Sequence, residues 1–122
     1  MNKPNKKILV VEDEAIAAMA IEDMIEKMGY QVCASVSFGD EAVKIAAAEK
    51  PALVLMDIHI HGPVNGIEAA GRIRELGIPI IFTTGFFDAR MRKKATALKP
   101  LAYLVKPLDH EQLKTIIKSV FR

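Results

Sequence analysis

The stretch ILVVEDE, residues 8–14, joins a continuous apolar run directly to three acidic residues. An apolar run without alternating polar positions is typical of a parallel β-strand that is buried on both faces. The change to carboxylates predicts a strand over residues 8–11 that delivers acidic side chains to one edge of a sheet. In open α/β sheets, ligands bind outside the carboxyl ends of the strands.

Beyond this stretch, apolar runs of strand length alternate with segments of helical period. The alternation predicts five βα units and a doubly wound α/β fold, with helices on both faces of a parallel sheet. The second strand is more polar and suits a sheet edge. The predicted strands are residues 8–11, 31–35, 52–57, 79–84 and 102–105, and the predicted helices are residues 17–28, 39–49, 65–77, 88–98 and 109–121.

The composition is that of one ordinary globular domain, with 122 residues, 51% apolar residues and a net charge of +2. We expect a single domain over residues 1–122, with its core from about residue 7 to residue 121 and no effector domain. The only cysteine, Cys33, is expected to be a small core residue, and its lack of a partner favours the reducing cytoplasm. Because no apolar run approaches the ~20 residues of a membrane helix, and no basic run is interleaved with aromatic residues, we expect no membrane or direct nucleic-acid partner.

Acidic residues lie at the ends of two predicted strands, Glu12 and Asp13 after the first and Asp57 at the end of the third. These ends meet at one edge of a parallel sheet, so the three side chains are expected to converge. Gathering three carboxylates is costly unless a cation joins them, and oxygen ligands favour a hard ion such as Mg2+. The sequence therefore predicts a divalent metal site.

Two further strand ends carry polar groups, Thr84 followed by Gly85, and Lys106 followed by Pro107. A hydroxyl and an ammonium beside a metal-bound carboxylate form a cage for a phosphoryl group. Thr83 is a rival for the hydroxyl position, but side chains alternate along a strand, so only one threonine can face the site. The small residue after Thr84 favours Thr84.

Four motifs, each at a predicted strand end, resemble those of the response-regulator receiver domain of two-component signalling. They are VVEDE at residues 10–14, LVLMDI at 53–58, IIFTTG at 80–85 and YLVKP at 103–107. The resemblance extends from about residue 7 to residue 121. It implies a flavodoxin-like (βα)5 sheet with strand order 2-1-3-4-5 and a cis peptide bond before Pro107.

The resemblance also implies roles by position. The phosphoacceptor is Asp57. The implied ligands of Mg2+, or of Mn2+ in its place, are Glu12, Asp13, Asp57 and the backbone carbonyl of His59. The implied phosphate-contacting residues are Thr84, Gly85 and Lys106, and the aromatic residue that moves with Thr84 is Tyr103.

Two aromatic residues near the site have plainer interpretations beside the functional ones. Phe86 either shields the phosphoryl group from water, which would tune its lifetime, or makes a hydrophobic contact with Phe87. Tyr103 is either the moving aromatic residue or a half-buried strand residue with its hydroxyl in water.

The loop after Asp57 is slightly longer than is commonest in the receiver family. Its run D-x-H-x-H, with His59 and His61, would suit zinc only if the strand continued. The Gly-Pro pair at residues 62–63 argues that the strand ends earlier.

The leading hypothesis is a phosphorylation-dependent signalling switch, not an enzyme beyond its own phosphorylation and dephosphorylation. Asp57 would accept a phosphoryl group from a histidine kinase or histidine phosphotransfer protein. The signal would pass to an unknown downstream protein through the face formed by the fourth helix, fifth strand and fifth helix. The domain would be a monomer that can dimerise on phosphorylation. Basic residues on that face favour an acidic partner or a second copy: Arg90, Arg92, Lys93 and Lys94.

Two alternatives use the same sheet. A flavodoxin-like binder of FMN, or of another phosphorylated ligand, would need an anion-binding loop after the first strand, where this chain has Glu12 and Asp13. A metal-dependent phosphatase with an aspartate nucleophile would need a second acid and an enclosing cap domain.

Overall fold

The computed structural model describes residues 6–86 and 88–121 and confirms the five βα units. The strands are β1 (Lys7–Val11), β2 (Gln31–Val36), β3 (Leu53–Asp57), β4 (Ile80–Thr84) and β5 (Ala102–Val105). The helices are α1 (Ala15–Lys27), α2 (Gly39–Glu49), α3 (Gly66–Arg74), α4 (Ala89–Ala97) and α5 (His110–Val120).

The strands form one parallel sheet in the order β2-β1-β3-β4-β5, which confirms the flavodoxin-like arrangement and the edge position of β2. Consecutive side chains of the buried strands enter opposite layers. Leu9 and Met56 pack with α2, α3 and α4, whereas Ile8 and Leu55 pack with α1 and α5. The apolar character of the central strands thus follows from burial on both faces.

Several local features follow from the residue types at their positions. The side chain of Asn65 accepts a hydrogen bond from the Glu68 backbone N–H at 2.9 Å and caps α3. Gly29 follows α1 with a φ of 91°, and the peptide bond before Pro107 is cis. Cys33 packs against the core, and burial raises the pKa of its thiol, as expected for a structural residue.

The predicted end of α3 at residue 77 is wrong. The helix ends at Arg74, and residues 75–77 form a turn that closes on Gly77, whose φ is 82°. A left-handed residue cannot continue an α-helix, so the glycine terminates a turn rather than the helix itself. Within the described ranges, no helix combines the length and apolar character required to cross a bilayer.

Candidate functional site

The predicted convergence of carboxylates is present at the carboxyl edge of the sheet. Oxygen atoms of Glu12, Asp13 and Asp57, which we call the acidic cluster, lie within 4.8 Å of one another. Glu12 and Asp57 are only 3% and 4% exposed. Three carboxylates at this spacing, two of them buried, have the donor chemistry of a Mg2+ site.

Lys106 joins the acidic cluster from the end of β5. Its Nζ atom donates to Oδ2 of Asp57 at 2.9 Å and also contacts Oε1 of Glu12. Its backbone N–H donates to the carbonyl oxygen of Thr84 at 2.7 Å, which ties the lysine to the neighbouring strand. One ammonium group thus partly balances two buried carboxylates.

Burial and hydrogen bonding both act on the pKa values of Glu12 and Lys106. Burial raises the pKa of Glu12, although the bond from Lys106 opposes that rise. Burial alone would lower the pKa of Lys106, but the bonds to Glu12 and Asp57 outweigh it, so the pKa of Lys106 is raised. The lysine therefore remains positively charged at neutral pH.

Backbone contacts hold Asp57 in place. Its Oδ1 atom accepts a hydrogen bond from the His59 N–H at 2.9 Å. Gly66, the first residue of α3, lies directly against it, because a Cβ at that position would come within 2.2 Å of the Asp57 carbonyl oxygen. The first residue of α3 therefore packs against the backbone of Asp57, the predicted phosphoacceptor.

The loop after β3 returns to the acidic cluster through His61. The His61 backbone N–H donates to Oδ2 of Asp13 at 3.2 Å, and its ring Nδ1 contacts the same oxygen. Sequence analysis did not predict this contact, because it joins two loops that are 48 residues apart. The zinc arrangement of a continuing strand does not form, since β3 ends at Asp57.

Thr84 is fully buried, and its hydroxyl bonds lie within its own turn. The hydroxyl donates to the Phe86 carbonyl oxygen at 2.8 Å and accepts from the Phe86 N–H at 3.4 Å. Thr83 is paired in register with Asp57 and is also buried. The alternation along β4 thus separates the two threonines, and the choice of Thr84 over Thr83 stays a prediction.

Phe86 is 56% exposed and stacks on the ring of His59, with ring centroids 4.3 Å apart. The Nε2 atom of His59 is buried without a hydrogen-bond partner among the described residues. The suggested contact with Phe87 lies outside the described residues. The two rings therefore stack face to face, and the backbone N–H of His59 bonds to Asp57 of the acidic cluster.

Tyr103 lies on β5 in register with Phe82 of β4, and its ring packs against the core layer that contains α4. Its hydroxyl is buried without a hydrogen-bond partner among the described residues, so the alternative of a hydroxyl in water is wrong. The guanidinium carbon of Arg92 lies 5.0 Å from the centre of the ring. This contact joins β5 to the basic face of α4.

A family profile described as the response regulator receiver domain matches residues 8–118. This chain belongs to the response regulator receiver family. The match includes every strand end that forms the site. In this receiver domain, the acidic cluster and Lys106 lie at the carboxyl ends of β1, β3 and β5, where the sequence motifs predicted them.

Relatives and solved structures agree with this assignment. This chain is 35% identical to the transcriptional regulatory protein PdtaR of Mycobacterium tuberculosis over 109 residues. The alignment covers 88% of this chain and 53% of that protein. The chain is also 30% identical to sporulation initiation phosphotransferase F of Bacillus subtilis, covering 94% of this chain and 93% of that protein. This chain thus spans about half the length of PdtaR and nearly the whole length of the phosphotransferase.

The fold matches that of solved receiver domains. The signal receiver domain of a modulated diguanylate cyclase from Desulfovibrio desulfuricans G20 superimposes with a TM-score of 0.89, at 33% identity, over 93% of this chain and 91% of that chain. The BeF3-activated receiver domain of Klebsiella pneumoniae RstA gives a TM-score of 0.85 at 26% identity, over 95% of this chain and 98% of that chain.

Proposed function

We propose that this receiver domain is a phosphorylation-dependent switch in which Asp57 accepts a phosphoryl group. The observation that carries the proposal is the bond between Lys106 and Asp57 beside the acidic cluster. An ammonium group and a carboxylate nucleophile at a cation-binding edge meet the main electrostatic needs of phosphoryl transfer. Family membership supports the same chemistry.

Asp57, Lys106 and His59 would each have a separate role in the reaction. A carboxylate oxygen of Asp57 forms a bond to phosphorus as the bond between phosphorus and the donor nitrogen breaks, and hydrolysis later returns the carboxylate and releases phosphate. Lys106 would place its charge beside the incoming oxygens, and the His59 N–H would keep Asp57 oriented. The acidic cluster, with the His59 carbonyl, would hold Mg2+ or Mn2+, which supplies positive charge when bound.

The proposed donor is a phosphohistidine on a histidine kinase or phosphotransfer protein inside the cell. Ile16 and Met19 of α1 are 83% and 67% exposed, and α1 begins two residues after Asp13 of the acidic cluster. Exposed apolar residues beside a reactive group are suited to a docking protein. Ile16→Ser should therefore slow transfer from the kinase while leaving labelling by acetyl phosphate unchanged.

The proposed output surface is the face of α4, β5 and α5. Thr84 and Tyr103 lie on adjacent strands, and Tyr103 contacts Arg92 of α4. A movement of Thr84 toward the phosphoryl group would change the space available to the ring and so reach this face. The basic residues of α4 favour an acidic partner or a second copy of the domain.

The decisive experiment is the intact mass after incubation with acetyl phosphate and Mg2+. The wild-type chain should gain about 80 Da, the mass of one phosphoryl group, and Asp57→Asn should gain nothing. The variant should melt no lower than wild type, because the amide removes one of three clustered negative charges. Undiminished labelling of Asp57→Asn would exclude this residue as the phosphoacceptor.

No observation favours the FMN binder. The loop after β1 presents Glu12 and Asp13 at the edge where a flavin phosphate would bind, and their charge would repel it.

A further inference from the structure

His61 is the one imidazole that the structure places in contact with the acidic cluster, judged over residues 6–86 and 88–121. Its backbone N–H and its ring Nδ1 both reach Oδ2 of Asp13. The His61 side chain is 86% exposed, whereas that of Asp13 is 15% exposed. A nitrogen donor with freedom to reorient therefore lies at the solvent side of an otherwise all-oxygen site.

The separation of the two side chains suits ligands of one ion. Metal–ligand bonds of about 2.1 Å place two neighbouring octahedral ligands about 3 Å apart. The Nδ1 atom of His61 and Oδ2 of Asp13 are in direct contact through a shared proton, and a metal ion bound by both atoms would take the place of that proton.

The other nearby histidine is held differently. The ring of His59 stacks on Phe86, and its Nε2 atom is buried. Only the backbone of His59 bonds to the acidic cluster, through its N–H to Asp57. His61 is therefore the side chain that can add nitrogen to the donor set.

We propose that His61 is a specificity-determining ligand of the metal site, whose imidazole shifts the preference of this receiver domain from Mg2+ toward Mn2+. The inference rests on the proposed metal-dependent function. Mg2+ binds nitrogen poorly and keeps its water ligands, whereas the divalent transition-metal ions accept imidazole, with Mn2+ the weakest binder of that series. The oxygen ligands would serve both ions, and His61 would favour only the transition metal.

Calorimetric titration of the phosphate-free protein with Mg2+ and with Mn2+ tests the inference. His61→Ala keeps the backbone N–H and removes the imidazole from an exposed position. It should weaken Mn2+ binding about tenfold while changing Mg2+ binding less than about twofold. His110→Ala, which removes an imidazole at the start of α5, should change neither affinity. Equal losses for the two ions, or no loss for Mn2+, would overturn the proposal.

Pulsed electron paramagnetic resonance of the Mn2+-loaded protein supplies a second readout that is independent of phosphorylation. Wild type and His110→Ala should both show hyperfine coupling to a coordinated imidazole nitrogen, and His61→Ala should not. Absence of this coupling in wild type would refute ligation by His61.

The two proposals fail in different ways. If both ions bind wild type and His61→Ala alike, and Asp57 is still labelled, the function stands and the role of His61 is wrong. If neither ion binds wild type and Asp57 is not labelled, both are wrong.

Discussion

The Nζ atom of Lys106 lies 2.9 Å from Oδ2 of Asp57 and also contacts Oε1 of Glu12. Both carboxylates are buried, so the ammonium group compensates charge that water cannot reach. Removal of one partner from a buried ion pair is more damaging than the net value of the pair, because the remaining charge is left uncompensated. The lysine therefore has a structural role in addition to its proposed role in phosphoryl transfer.

Lys106→Met should lower the free energy of unfolding by about 3 kcal/mol at neutral pH. The folded-state pKa of Lys106 is raised above 10.5, so its contribution is complete below that pH and is lost as the pH rises through the raised value. Chemical denaturation across pH should show the gap between wild type and variant at neutral pH, closing on the alkaline side as Lys106 loses its charge and on the acid side as the Glu12 carboxylate is protonated. Lys93→Met, at an exposed position of α4, is the control. A gap that is lost between neutral pH and pH 10.5 would contradict the assignment.

Gly66→Ala should destabilise the domain by about 2 kcal/mol or more and impair labelling of Asp57. The added Cβ would meet the Asp57 carbonyl oxygen at 2.2 Å, and the backbone there cannot move without shifting Asp57, the proposed phosphoacceptor. Gly71→Ala in the same helix is the matched control, since its Cβ would meet only the Leu98 side chain, at 3.9 Å. That control should gain up to about 1 kcal/mol in thermal denaturation. Equal effects of the two substitutions would refute the close approach.

Mg2+ should raise the melting temperature, because a cation at about ten times its dissociation constant adds about 1.4 kcal/mol of stability. Asp13→Ala should remove most of this rise, and Glu12→Ala less of it. Both carboxylate oxygens of Glu12 already have partners, Lys106 and the Glu14 N–H, which leaves Asp13 the freer ligand. Differential scanning fluorimetry over a Mg2+ series measures the effect. A full response in Asp13→Ala would exclude it as a ligand.

Thr84→Ala should permit phosphorylation of Asp57 but uncouple it from changes on the output surface. The substitution removes the hydroxyl that would sense the phosphoryl group and leaves the nucleophile and Lys106 in place. Nuclear magnetic resonance shifts on phosphorylation should cluster over residues 88–106 in wild type and be absent there in the variant. Tyr103→Phe, which removes only a hydroxyl without a described partner, should retain most of the shifts. Wild-type shifts confined to α1 would contradict the surface assignment.

The sequence predicted those parts of the site that lie at the ends of strands. Glu12, Asp57 and Lys106 each lie at or directly after the end of an apolar strand, so their convergence follows from the geometry of a parallel sheet. The contact of His61 with Asp13 could not be predicted, because it depends on how the loop folds after the strand stops. The burial of the Tyr103 hydroxyl depends on how the ring packs in the layer that contains α4. This packing cannot be inferred from the position of one residue in a strand.

The bond from the Thr84 hydroxyl to the Phe86 carbonyl oxygen also bears on the proposed unphosphorylated state. Breaking it inside the fold would leave a fully buried hydroxyl without its partner, at a cost of about 1–3 kcal/mol, or a factor of about five or more in an equilibrium. A free Thr84 hydroxyl would therefore be a minor state of the unmodified protein. In the proposed switch, the level of basal output would then depend partly on a turn of three residues.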